Sequence, residues 1–141
     1  MSIRAAYHEA GHIIIGLVLG CAPCSATLEK QPEVFVEPPP GFLIRDYVLF
    51  SLAGYAAALK FAETLGEPVD SLLIASEAAS DLADIEKELA RLSAQTPSVT
   101  LVHLLYEARK LVDAHWPAIE RLARRLFEMK TLNSGQISEA A

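Results

Sequence analysis

Apolar residues recur at helical spacing along most of this chain, and the breaks in that pattern mark where one element gives way to the next. Ile3 to about Leu19 reads as a first helix, with Ser2 as its N-cap and Gly20 closing it. Its second half, Ile13-Ile14-Ile15 and Leu17-Val18-Leu19, is apolar nearly all round, as in a helix packed on several sides. This is the expected central helix. Ala26 to Leu28 and Val34 to Val36 have strand character, and Pro38-Pro39-Pro40-Gly41 ends the second run because prolines cannot donate to a ladder. Together they predict a small two-stranded element. Phe42 to about Leu65 is a second long helix, with Val48, Leu49, Leu52, Ala53, Ala56 and Leu59 on its apolar face and Gly66 and Pro68 closing it. Ala53-Gly54-Tyr55-Ala56-Ala57-Ala58 gives it a small-residue face suited to close packing. Asp70 to Ala75 is apolar and ambiguous, after which Ser76 or Ser80 caps a helix running to about Leu92. Thr96-Pro97 opens another from Ser98 to about Ala114, and Pro117 either kinks it or starts the next. Ile119, Leu122, Ala123, Leu126 and Phe127 continue the spacing to about Met129, and Ser134 is placed to cap a short final turn. The fold expected is mainly α, α+β at most.

At 141 residues the chain is one domain by length, residues 1–141, large enough to bury a core without disulfides or a structural metal. Hydrophobic residues make up 52% and the formal charge is −6, which argues for a compact soluble protein and against a nucleic-acid surface. The longest apolar stretch, Ile13 to Ala22, is about half of the ~20 residues a membrane span requires. No membrane span and no signal peptide are expected, so the default compartment is the cytoplasm. Cys21 and Cys24 form a lone C-x-x-C after the first helix. A redox motif wants a strand before it, and a zinc ribbon wants a second cysteine pair. They read as structural thiols at a helix exit, with a disulfide or an auxiliary metal site as the alternatives.

The chemistry concentrates in Tyr7-His8-Glu9-Ala10-Gly11-His12. At 3.6 residues per turn, two histidines four apart lie about 40° apart around a helix and roughly 6 Å apart along it, so both imidazoles can share one cation. This is the zinc-binding H-E-x-x-H spacing. Glu9, about 100° round from His8, is poorly aimed to bind the same ion and well placed as a general base on water the metal activates. Such a triple arises by chance in roughly one chain of this length in several hundred, so the metal reading is preferred to a surface helix carrying these residues by accident.

Catalytic zinc usually takes three protein ligands and leaves one position open. Glu77 and Asp81 are four residues apart and share a helical face if Ser76 caps, whereas if Ser80 caps, Asp81 stands in the first turn, where the helix dipole favours a carboxylate. Asp84 follows on nearly the same face. His103 and His115 sit in helices among apolar neighbours, where a single histidine is usually a packed or boundary residue.

The string His8-Glu9-Ala10-Gly11-His12 followed by an apolar run, then Leu52-Ala53-Gly54-x-Ala56-Ala57, then Ala79-Ser80-Asp81-Leu82, resembles the peptidase domain of FtsH-type ATP-dependent zinc metalloproteases. The stretch from Trp116 to Ile137, with Thr131-Leu132-Asn133-Ser134-Gly135-Gln136-Ile137, resembles the end of that domain, so the likeness covers nearly the whole chain. It implies a helical, zincin-like fold with a small strand element beside the cleft, zinc held by His8, His12 and Asp81, and Glu9 as the base. The sequence departs from the family in three places. Only seven residues precede the motif, so the family's ATPase module and membrane anchor are not expected here; the loop between the first two helices is short and carries three prolines; and the position near Ala58, commonly glutamate in the family, is apolar. Glu77-Ala78-Ala79-Ser80-Asp81 is also similar to the E-x-x-x-D segment of thermolysin-like peptidases, which makes Glu77 the alternative third ligand, with Asp81 then steadying a ligand histidine.

The function expected is that of a zinc metalloendopeptidase acting on peptides or unfolded proteins, with a separate ATPase as a potential partner. Tyr7 and Tyr55 are both candidates to help stabilise the oxyanion. The alternatives are a non-catalytic or regulatory protein-binding module that keeps the peptidase fold, and a helical interaction protein whose H-E-x-x-H is accidental.

Overall fold

Helix α1, Ile3–Val18, is buried without a break from Ala6 to Gly16, and the rest of the chain is laid around it. The structure is a computed structural model that describes residues 3–66, 79–95 and 101–141, with 79–82 and 92–95 described in their backbone only. Helices α2 (Ile44–Thr64), α3 (Ala79–Gln95), α4 (Leu101–Ala114), α5 (Trp116–Met129) and α6 (Ser134–Ala140) follow α1. Strands β1 (Ala22–Thr27) and β2 (Glu33–Glu37) come directly after α1, and β3 (Thr131–Asn133) lies between α5 and α6. Helices α2, α4 and α5 and strands β1 and β2 all pack on α1. The all-round apolar pattern of its second half is thus explained as far as Gly16, beyond which Val18 is exposed. Gly20 takes a left-handed conformation at φ 98°, and the Cys21 N–H turns back to donate to the Gly16 carbonyl at 2.9 Å, so α1 stops where its glycine predicts.

The chain is mainly helical, with one small antiparallel sheet. That sheet has three strands in the order β2-β1-β3, so the two-stranded expectation is corrected by one strand. The third strand pairs Ser25 with Asn133, Ala26 with Leu132 and Thr27 with Thr131. It is reached because Lys130, at φ 69°, caps α5 in a left-handed conformation and turns the chain back onto β1. Between Pro23 and Ser25 the β1–β2 register slips by one residue, leaving Cys24 in a bulge.

Two apolar clusters meet on α2. The larger joins Ile13 and Ile15 of α1 to Ile119, Leu122 and Leu126 of α5, Leu132 of β3 and Ile137 of α6, all 0% exposed. Each of these large side chains contributes about 1.5–3 kcal/mol through burial. The smaller gathers Val48, Leu49 and Leu52 of α2 with Ile85 of α3 and Leu104 and Ala108 of α4. Ion pairs Lys60–Asp113 and Arg109–Glu63, at 2.8 and 2.7 Å, and Arg45–Glu107 tie α2 to α4 from outside. Being partly exposed, they add at most about 1 kcal/mol each.

Three local expectations resolve or change. Pro117 stands in the first turn of α5 behind His115 and so starts a helix, since its fixed φ and missing N–H suit that place. Asn133, not Ser134, caps α6: its side chain accepts from the Gln136 N–H and its own N–H donates to Gln136 Oε1, both at 2.9 Å. The reciprocal pair satisfies two terminal donors at once, which Ser134 with Ile137 three residues on could not do. Ser80 lies inside α3 and does not cap it. Ser76, the stretch Asp70 to Ala75 and Thr96-Pro97 fall outside the described residues. Among the described residues no helix is long and apolar enough to cross a membrane.

Candidate metal and catalytic site

His8, Glu9 and His12 project from the first half of α1 into the protein, at 8%, 7% and 4% exposure. Four-residue spacing on a regular helix brings the two imidazoles together edge to face, ring centroids 4.7 Å apart, with the Nε2 atoms at 3.1 Å. Two nitrogens bound to one tetrahedral zinc at about 2.0–2.1 Å lie roughly 3.3 Å apart. The separation found is within a few tenths of an ångström of that value, so a shared cation requires no rearrangement of α1.

His12 is also held from its other side. Its Nδ1 lies 2.9 Å from the Phe50 carbonyl in α2. A carbonyl can only accept, so Nδ1 carries the proton, and in the neutral ring Nε2 then carries the lone pair, the tautomer a metal-ligating imidazole needs. The His8 and His12 Nε2 atoms, 3.1 Å apart, are close enough for one to donate to the other or for both to face a shared cation.

Helix α2 reaches this close because both helices are bare where they touch. A Cβ on Gly11 would fall 2.6 Å from both the Ala53 oxygen and the Ala57 Cβ. A Cβ on Gly54 would run into the His12 imidazole, falling nearest its Nε2 and within 2.6 Å of its Cε1. The small-residue face expected of the second helix is therefore what admits His12. The part played by Phe50 has no signal in the sequence, since every residue owns a backbone carbonyl.

The other candidates are placed as follows. Asp81 is the third residue of α3, one turn ahead of Ile85, which is buried against Val48, Leu49 and Leu52 on the stretch of α2 that holds Phe50. Its side chain and the whole of Glu77 lie outside the described residues. Among the described residues no three His, Cys, Asp or Glu side chains converge as a metal site, so His8 and His12 stand as two donors of an expected three. Asp84 is exposed. Tyr7 stacks on Phe61 at 4.1 Å and Trp116 at 5.4 Å. Burial, then the Glu120 carboxylate, raises its pKa, while Arg124, which hydrogen-bonds its hydroxyl, pulls the other way. Its hydroxyl therefore serves the α1–α5 contact. Tyr55 is half-buried beside Ala58 and Leu59. His103 is exposed on α4 and His115 is half-buried at the α4–α5 junction, and neither joins the pair on α1. Cys21 is buried at the exit of α1 and Cys24 is exposed in the bulge, both as free thiols.

Neither a scan against protein-family models nor a search of curated proteins finds a match to this sequence.

Proposed function

We propose that this chain is a zinc-dependent endopeptidase domain of the FtsH type, with His8, His12 and Asp81 as the metal's ligands and Glu9 as the general base. Glu77 is the alternative third ligand. The observation that supports this best is the pair of Nε2 atoms 3.1 Å apart beside a buried Glu9, with His12 held in the ligating tautomer by a backbone carbonyl. When bound, zinc would lower the pKa of a water towards about 7 and polarise the scissile carbonyl.

The residues of the chain do the rest. The Glu9 carboxylate takes the proton from the attacking water and returns it to the departing amine. Its place one residue after His8 keeps it beside the reacting water without competing for the ion. The Phe50 carbonyl fixes the orientation of His12. Strand β2 packs on α1 and among the described residues is an edge of the sheet, so its outer side is open there to an extended peptide. A cytoplasmic location and delivery of unfolded substrate by a separate ATPase complete the proposal.

The test is zinc content by elemental analysis of untagged protein purified without chelator, beside His12→Ala and Glu9→Gln. About one zinc per chain is expected, lost in His12→Ala. Glu9→Gln should keep the metal and lower cleavage of an unfolded fluorogenic polypeptide by roughly 10²–10⁴-fold. No zinc after reconstitution would remove the peptidase reading, and a wild-type rate in Glu9→Gln would remove the base. Zinc without any hydrolysis would favour the regulatory-module reading.

A further inference from the structure

We propose that Gly54 is a positioning residue for the metal: its missing side chain uncovers the Phe50 carbonyl and so sets which nitrogen of His12 faces the ion. The inference rests on the zinc reading above. In an α-helix each side chain leans back over the preceding turn, covering the carbonyl four residues earlier on its outer side. Gly54 stands four residues after Phe50. With no Cβ there, the imidazole of His12 lies in the space the side chain would occupy, and Nδ1 reaches the Phe50 oxygen at 2.9 Å.

The choice of glycine is otherwise costly. Within a helix it is worth about 1 kcal/mol less than alanine, and the neighbouring face is alanine at 53, 56, 57 and 58. Alanine serves at each of those places, and at 54 its methyl would strike His12. Steric access and tautomer are thus linked. A side chain at 54 pushes the ring off the carbonyl, Nδ1 loses its acceptor, and the lone pair need no longer point at His8 Nε2.

Asn133→Ala provides the control, because it removes a helix cap near the end of the chain and leaves the α1–α2 contact alone. Zinc alone would be titrated in competition with a chromophoric chelator into wild type, Gly54→Ala and Asn133→Ala, each first checked for helicity. Gly54→Ala should bind zinc roughly 10–100-fold more weakly, and Asn133→Ala should stay within about threefold of wild type while losing thermal stability. If Gly54→Ala binds like wild type, or no more weakly than Asn133→Ala, the proposal is wrong. Long-range ¹⁵N–¹H spectra of metal-free wild-type protein give a reading that holds even if Gly54→Ala does not fold. The His12 proton is expected on Nδ1, and finding it on Nε2 overturns the proposal. Wild-type protein that binds no zinc but shows the Nδ1 proton would instead sink the metal reading and leave the helix geometry intact.

Discussion

Replacing Gly11 with alanine sets two effects of opposite sign against each other, and the structure decides between them. Helix propensity alone predicts a gain of about 1 kcal/mol, since Gly11 lies in the interior of a regular helix. Against this, the added methyl would sit 2.6 Å from the Ala53 oxygen and 2.6 Å from the Ala57 Cβ, where ordinary contact begins at 3.4 Å. Both neighbours are 0% exposed, and one contact is with backbone inside α2, so no flexible side chain can swing away. The helices must part by most of an ångström. Overpacking of this kind costs about 1–3 kcal/mol. At its upper end, less the propensity gain, about 2 kcal/mol of destabilisation remains, or roughly 6 °C in Tm for a domain of this size. Urea denaturation with matched slopes, or calorimetry, would measure it. A Gly11→Ala protein as stable as wild type, or more so, would show that α1 and α2 do not touch at this point and would undercut the account of how His12 meets Phe50.

Two further outcomes concern other parts of the molecule. Burial, and secondarily Asp46, holds the Cys21 thiol above its ordinary 9.0, and burial holds Tyr7 above 10.0. In each case the unfolded chain gives up its proton first, so the stabilisation is complete below about pH 9 and is lost as pH rises through the native values. Cys21→Ala should flatten the first part of that decline in denaturation curves taken from pH 8 to 10.5, and an unchanged profile would refute the assignment. Near pH 8, iodoacetamide followed by mass spectrometry should modify Cys24 much faster than Cys21, because one thiol is exposed and the other buried with its thiolate disfavoured. Asn133→Ala should cost about 1 kcal/mol by urea denaturation, whereas Ser134→Ala should be close to neutral, and the reverse order would contradict the cap.

Strong local signals made part of this fold legible. The glycine stop of α1 and the burial of Ile13 to Gly16 follow from one apolar run ended by Gly20, although Val18 within that run is 42% exposed. The run Ile119, Leu122, Ala123, Leu126 likewise marked the buried face of α5. Strand β3 escaped because three residues are too few to display alternation, and its pairing is decided by the left-handed turn at Lys130 rather than by composition. Asn133 escaped because Ser134 is an equally good capping residue when judged singly, and only the Gln136 partner separates them. Within the site, His8 and His12 could be paired from spacing alone since both ride on one rigid helix. The Phe50 contact joins two helices through a main-chain atom that carries no residue identity.

Strand β3 has a consequence for the history of each new chain. Thr131 bonds to Thr27 across 104 residues of sequence. Strand β1 can pair with β2 as soon as the short loop between them exists, but its opposite edge stays open until all of α2 to α5 has been made. Throughout that interval the edge is a template for pairing with other chains. Cys24 bulges out on the side that pairs early, while Ala26, buried in the final structure, faces its late partner Leu132. The segment that closes the sheet is therefore also what withdraws an adhesive edge from the growing chain. A copy interrupted after α5 would carry the histidine pair and most of the core, yet remain prone to associate through β1.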